Sequence, residues 1–207
     1  MPSGRLPVVN PWRFETNQAT VQIKVGTYYS QVWTRAINAW NSKKVFTFKI
    51  VKGPAQITIL PAQSNEASLI KQNFVGVAYV NHDNTKRITS VQLHLVNSLL
   101  KSNGYTTSQR VNVAEHELGH AMGLAHNPSK QSVMYKTTRY VSIQPIDVKN
   151  AKDLYSIPAS QYFINLPATT STTANKDVIA NGAGDRLFKS PFETRSVQAL
   201  VDPSTIY

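Results

Sequence analysis

His116-Glu117-Leu118-Gly119-His120-Ala121-Met122-Gly123-Leu124-Ala125-His126 is the stretch that decides how this chain is read. It has the form H-E-x-x-H-x-x-G-x-x-H, with His116, Glu117, His120, Gly123 and His126 at the fixed positions. At average residue usage the chance of such a match is on the order of 10⁻⁷ or less per start position. A chain of 207 residues does not contain it by accident. On a helix, residues four apart lie on one face, so His116 and His120 offer two imidazole nitrogens to one ion. Glu117 is rotated from the first ligand by about 100° and falls beside the ion, within reach of a water. Gly123 suits a helix stop, because glycine enters the left-handed region without a Cβ clash. The chain then turns and returns His126 as a third ligand. Three protein ligands and an open fourth position describe catalytic rather than structural zinc. Imidazoles also suit other transition metals, so zinc is the first choice among several.

Two plainer readings compete. Histidines four apart also occur on ordinary surface helices, and a metal site need not be catalytic. The complete motif argues against the first, and a carboxylate beside the ion against the second. Downstream lies Ser132-Val133-Met134-Tyr135. A single methionine is usually core filler. Eight residues beyond His126, Met134 reads instead as a methionine turn beneath the metal.

With these residues the chain resembles a metzincin zinc metalloprotease, closest to the matrixins (the matrix-metalloproteinase type) in their short bacterial form. Other segments carry the likeness: Ala36-Ile37-Asn38-Ala39-Trp40-Asn41, Phe46-Thr47-Phe48, Gly76-Val77-Ala78-Tyr79, and Gln144-Pro145-Ile146-Asp147 with Leu154-Tyr155. It covers roughly residues 10–157 and is strongest at 113–135. The resemblance implies an α+β zincin fold with a twisted five-stranded mixed sheet, three helices, and a cleft between a larger N-terminal and a smaller C-terminal subdomain. It implies one catalytic zinc ion (Zn2+) on His116, His120 and His126, with Glu117 as the catalytic base and Gly123 and Met134 in support. It implies a substrate-binding edge strand at Gly76, Val77, Ala78 and Tyr79. Asn112 and Tyr135 would flank the specificity pocket.

The chain departs from the family in several places. Asn127 replaces the usual Ser or Thr after the third histidine. Lys136, Thr137 and Thr138 stand where Pro-x-Tyr lines the pocket wall, leaving Tyr140 as a substitute for the missing tyrosine. The Asp- and Gly-dense loops of animal matrixins are missing, so calcium has no support in the sequence. His82 and His94 are too few for a second zinc. His82 reads as a turn residue and His94 as a strand residue.

Periodicity gives a strand at Thr20–Val25 and a helix from a Ser30 cap to about Asn41. It gives strands at Val45–Val51, Gln56–Leu60, Phe74–Val80 and Ile88–Val96. The metal helix is expected from about Ser108 to Leu124. A last helix runs from Pro145 to Tyr155 and is ended by Pro158. Residues 1–157 then form the catalytic domain. Residues 158–207 form an extension of unknown role, with a Ser/Thr-rich linker at 168–175.

A hydrophobic fraction of 41% allows a real core. The chain has no cysteine, which excludes disulfides and a cysteine nucleophile. No apolar run is long enough to span a membrane. The net charge is +11, and residues 158–207 are balanced, so the excess lies in 1–157. Such a body is drawn to polyanions, among them anionic cell-surface polymers. No nucleic-acid motif is present. The expected function is a secreted, monomeric zinc endopeptidase acting on protein or peptide substrates. The alternatives are a basic cell-surface adhesion protein with an inert zinc site, or a zinc amidase on cell-wall crosslinks. The N-terminus shows no apolar leader, so secretion would require one absent from this chain, and a cytoplasmic protein is the other option.

Overall fold

A computed structural model describes residues 9–62, 66–164 and 175–182. In chain order the elements are β1 (Gln18–Ile23), α1 (Thr27–Ser42), β2 (Thr47–Ile50), β3 (Ile57–Ile59), α2 (Glu66–Lys71), β4 (Phe74–His82), β5 (Ile88–Leu95), α3 (Asn97–Ser102), α4 (Thr107–Ala121), α5 (Pro145–Ser156), α6 (Ala159–Ile164) and β6 (Asn175–Gly182). The sheet runs β2-β1-β3-β5-β4-β6. The first four strands in that order pair in parallel, and β4 is antiparallel to β5. This is the expected α+β architecture, with five mixed strands and three longer helices, α1, α4 and α5. The sixth strand comes from the C-terminal extension and lies outside β4, antiparallel to it.

The helix signals place the site. Every third or fourth residue of α1 is apolar, and Val32, Trp33, Ala36, Ile37 and Trp40 form its buried stripe. That stripe packs along α4. Trp40 is fully buried, and its indole N–H donates to the Glu115 carbonyl at 2.8 Å, tying α1 to the metal helix. The helix starts at Thr27 after Gly26, three residues before the expected Ser30 cap, and no side chain caps it. Helix α4 opens on a reciprocal capping box between Thr106 and Gln109. Its residues from Val113 to Ala121 are all buried, including His116, Glu117 and His120.

On β4 the apolar residues divide between two layers. Val75, Ala78 and Val80 join the main core beneath the sheet, where α1 and α4 lie. Phe74, Val77 and Tyr79 join a smaller cluster with Ala62, Leu69 and Val96. His82 ends β4 instead of sitting in the following turn. It is buried, stacked on Trp12 at 5.3 Å, with Nδ1 against the Asp83 carbonyl. The turn is built by Asp83, whose carboxylate accepts from the backbone N–H groups of Thr85 and Arg87. His94 lies on β5, edge-on to Tyr79, with Nδ1 near the Pro61 carbonyl at 3.2 Å.

The N-terminal segment straps the two halves. The Asn10 backbone N–H donates to the Gly123 carbonyl at 2.8 Å, and its side-chain amide to Leu124 O at 3.0 Å. Arg13 is buried between the rings of Tyr155 and Tyr162 and donates to the Leu154 carbonyl. Tyr162 on α6 donates to Asn10 O, so the chain beyond Pro158 continues onto the body as a short helix. Most of the expected linker at 168–175 lies outside the described residues.

Truncating Trp40 to Ala removes a fully buried indole and its bond to the metal helix. It is expected to cost about 3–5 kcal/mol. Urea unfolding of the variant against the parent checks this; a loss below 1 kcal/mol contradicts the packing role given to Trp40.

Candidate active site

The metal helix ends where the sequence places a glycine. Gly123 has φ +107°. Its N–H donates to the His120 carbonyl at 3.0 Å, and the Leu124 N–H reaches back to Gly119 O at 3.0 Å. This pair of bonds is the Schellman stop, with glycine at the left-handed position. A Cβ here would also meet the Trp12 carbonyl at 2.7 Å. The turn sends Leu124 to His126 back towards α4, and His116, His120 and His126 then face one another. Each offers one nitrogen, and these atoms lie within 4.8 Å of one another.

Two of the rings are oriented from behind. His116 Nδ1 lies 2.7 Å from the Val133 carbonyl, and His120 Nδ1 lies 2.8 Å from the Leu124 carbonyl. A carbonyl only accepts, so both Nδ1 atoms carry the hydrogen. Both Nε2 atoms are therefore lone pairs, and they face each other at 2.8 Å. Burial holds both imidazoles neutral, pushing His116 down to about 3 and His120 well below the usual imidazole range. Neighbouring imidazoles push both in the same direction. Two buried lone pairs at this separation repel unless a cation lies between them. Tetrahedral zinc, with Zn–N near 2.0–2.1 Å, needs nitrogens about 3.3 Å apart, an adjustment of roughly half an ångström. The donor set fits zinc.

Glu117 supplies the second requirement. It is fully buried, and neither carboxylate oxygen has a hydrogen-bond partner among the described residues. Burial raises its pKa well above the ordinary carboxyl value. An unpaired buried carboxylate is costly, and such groups persist where chemistry uses them. Gly76 on β4 makes room for it: a Cβ there would stand 2.4 Å from Glu117 Oε1.

Beneath the helix the Met134 sulfur occupies the space a side chain at Gly119 would need, 2.3 Å from its would-be Cβ. The methionine turn is anchored by buried Asp147. Its Oδ1 accepts from the Ser132 hydroxyl, and its Oδ2 accepts from Val133 N at 3.0 Å and Gln144 N at 2.9 Å. Asp147 therefore holds Val133, the residue whose carbonyl orients His116, from its N–H side, and the Ser132 hydroxyl it anchors accepts from Met134 N at 2.9 Å on the other side. The Asn127 N–H donates to Met134 O at 2.8 Å, closing the loop from His126 to the turn.

The chain matches the Matrixin family model over residues 11–157. It belongs to the matrixin family. Rat (Rattus norvegicus) macrophage metalloelastase is 25% identical over 167 residues, which is 76% of this chain and 36% of that protein. The chain thus spans about a third of the length of this relative. As a matrixin it carries a zinc metalloendopeptidase domain, and His116, His120 and His126 are placed so that they could hold the family's zinc.

The other expected residues are spread around this centre. Val77, Ala78 and Tyr79 follow Gly76 along β4, all buried. Tyr135 and Lys136 line an open pocket of about 380 Å³ with His126, Asn127 and Pro128. Asn112 is half-buried, and its amide donates to the Arg139 carbonyl at 2.9 Å, holding the loop after the methionine turn. Tyr140 is 76% exposed, with the Arg139 guanidinium 5.4 Å from its ring. Sequence reasoning passed over Gly119 and the anchoring role of Asp147. Small Gly119 between the ligands, and Asp147 three residues after Gln144, were the available signals.

Asp147→Asn replaces one of the accepting oxygens with a donor. By loosening the support of His116 it is expected to weaken zinc binding about 10–100-fold. Competition against a chromogenic chelator measures this, and an unchanged affinity contradicts the anchoring role.

Glu115 gives a pH prediction. It accepts from Ile143 N at 3.1 Å, and burial pushes its pKa up to about 7. The folded form therefore holds a proton that the unfolded chain releases near pH 4.5, and stability falls as pH rises from about 4.5 to 7. Glu115→Gln keeps the acceptor without the charge. At constant zinc its stability advantage should grow by about 1–3 kcal/mol between pH 5 and pH 8. Equal advantages at the two pH values in urea melts would refute this assignment.

Proposed function

We propose that this domain is an endopeptidase in which Glu117 serves as general base and then general acid. The observation that carries the proposal is the Glu117 carboxylate, buried without a partner among the described residues beside three converging imidazoles. When bound, zinc polarises the scissile carbonyl and acidifies water to a pKa near 7. Glu117 accepts the proton of the attacking water at a carboxylate oxygen and delivers it to the departing amine nitrogen. Its burial supports both halves of that cycle, since an ionised carboxylate without hydrogen bonds is a strong proton acceptor. Gly76, Val77, Ala78 and Tyr79 would offer the backbone edge along which an extended peptide adds as a strand once β6, which pairs with them here, is displaced. Asn112, Tyr135 and Tyr140 would shape the side-chain subsites, with Tyr135 bordering the pocket beside His126.

The reading extends to setting. Matrixin membership supports a secreted protein acting on protein substrates, and no helix among the described residues is long and apolar enough to cross a membrane. The net charge of +11 supports attraction to anionic surface polymers, an association that salt should weaken. We take residues 1–157 as the catalytic unit and 158–207 as its extension, and the molecule as a monomer.

Glu117→Ala should retain one zinc per chain and lose cleavage of an unbiased peptide library by about 10²–10⁴-fold or more. A chelator should abolish cleavage by the parent, and added zinc should restore it. Parent-level cleavage by the variant removes Glu117 from the mechanism.

A further inference from the structure

The outer edge of β4 is already occupied. Strand β6 pairs with it antiparallel along its length: Asn175 lies opposite His82, Lys176 opposite Asn81, Asp177 opposite Val80, Val178 opposite Tyr79, Ile179 opposite Ala78 and Ala180 opposite Val77. The ladder shifts register between Phe74 and Gly76, and Asn181 lies opposite Gly76. Gly76 is the residue whose missing side chain makes room for Glu117. Strand β6 also runs close to α4, the metal helix. The other edge of the sheet is β2, separated from β4 by the three strands β1, β3 and β5. An extended peptide that approaches Glu117 by strand addition therefore meets the edge β6 covers.

We propose that residues 175–182 act as a built-in competitive occupant of the substrate cleft, holding the chain in a self-occluded state. The proposal rests on the peptidase reading for its consequence and on the strand register for its geometry. Strand addition draws its affinity from main-chain hydrogen bonds, which any extended segment can make. A segment tethered in the same chain competes at an effective concentration on the order of mM, so modest intrinsic affinity suffices. A free substrate then binds only the open fraction, and its apparent dissociation constant rises in inverse proportion to that fraction. Displacement or proteolytic removal of the extension would release activity without change at the metal site.

The test uses the full chain carrying Val178→Pro and Ile179→Pro. Successive residues of a strand direct their N–H groups to opposite sides, so one of the two prolines removes a donor to β4. With zinc bound and a quenched fluorescent peptide as substrate, KM should fall about fivefold or more at unchanged kcat. Adding the synthetic octapeptide Asn-Lys-Asp-Val-Ile-Ala-Asn-Gly should restore the higher KM, and a scrambled octapeptide should not. A second arm needs no turnover. The same octapeptide carrying fluorescein is titrated into the Glu117→Ala chain with and without the prolines, and anisotropy should show tighter binding to the proline form. Equal KM values and equal octapeptide affinities overturn the proposal. If neither chain cleaves peptide but the proline form binds the octapeptide more tightly, occlusion stands and the peptidase reading falls.

Discussion

The site depends on two backbone carbonyls, Val133 O and Leu124 O, that take the Nδ1 hydrogens of His116 and His120. Those bonds choose the tautomer of each ring, and the tautomer leaves two Nε2 lone pairs confronting each other at 2.8 Å in a buried space. A cation between them would take both lone pairs. Both carbonyls are held in turn by features that look unrelated to metal chemistry. Leu124 follows the Gly123 helix stop, and its carbonyl also accepts from Asn10. Val133 hangs from Asp147. The N-terminal strap, the helix stop and the start of α5 therefore all meet behind the imidazoles, which is why so much of the chain is needed to hold three ligands.

Glu117 shows the complementary economy. A buried carboxylate with no partner lowers stability, yet β4 comes so close that only glycine fits at residue 76. The strand that would align a substrate and the carboxylate that would activate water are thus in van der Waals contact. Anything that pairs with β4 at Gly76 lies next to Glu117. The chain's own residues 175–182 do so here, which links the C-terminal extension to the reaction centre through backbone pairing alone.

The centre was legible in the sequence because its chemistry demands fixed spacing. Two histidines four apart on a helix, a glycine at the stop and a third histidine on the return leave little freedom, and the motif carried them all. The five body strands and α1 were legible from apolar periodicity, α4 from the motif and α5 from its Pro145 start. The short helices α2, α3 and α6, each of six residues, carry too few turns for a periodic signal. The start of α1 was misplaced because Ser30 looks like a cap, whereas the helix begins at Thr27 without one. His82 looked like a turn residue because polar neighbours surround it in sequence, and stacking on Trp12, distant in the chain, buries it instead. Strand β6 was invisible for a deeper reason. Its pairing with β4 joins residues about a hundred positions apart, and nothing local in Asn175–Gly182 announces its partner.

The most direct test is X-ray absorption at the zinc edge on the full chain loaded with one equivalent of metal. Three imidazole nitrogens at about 2.0–2.1 Å are expected, completed by one oxygen scatterer at a similar distance. A sphere with fewer than three imidazoles, or a protein that retains no zinc, would contradict it.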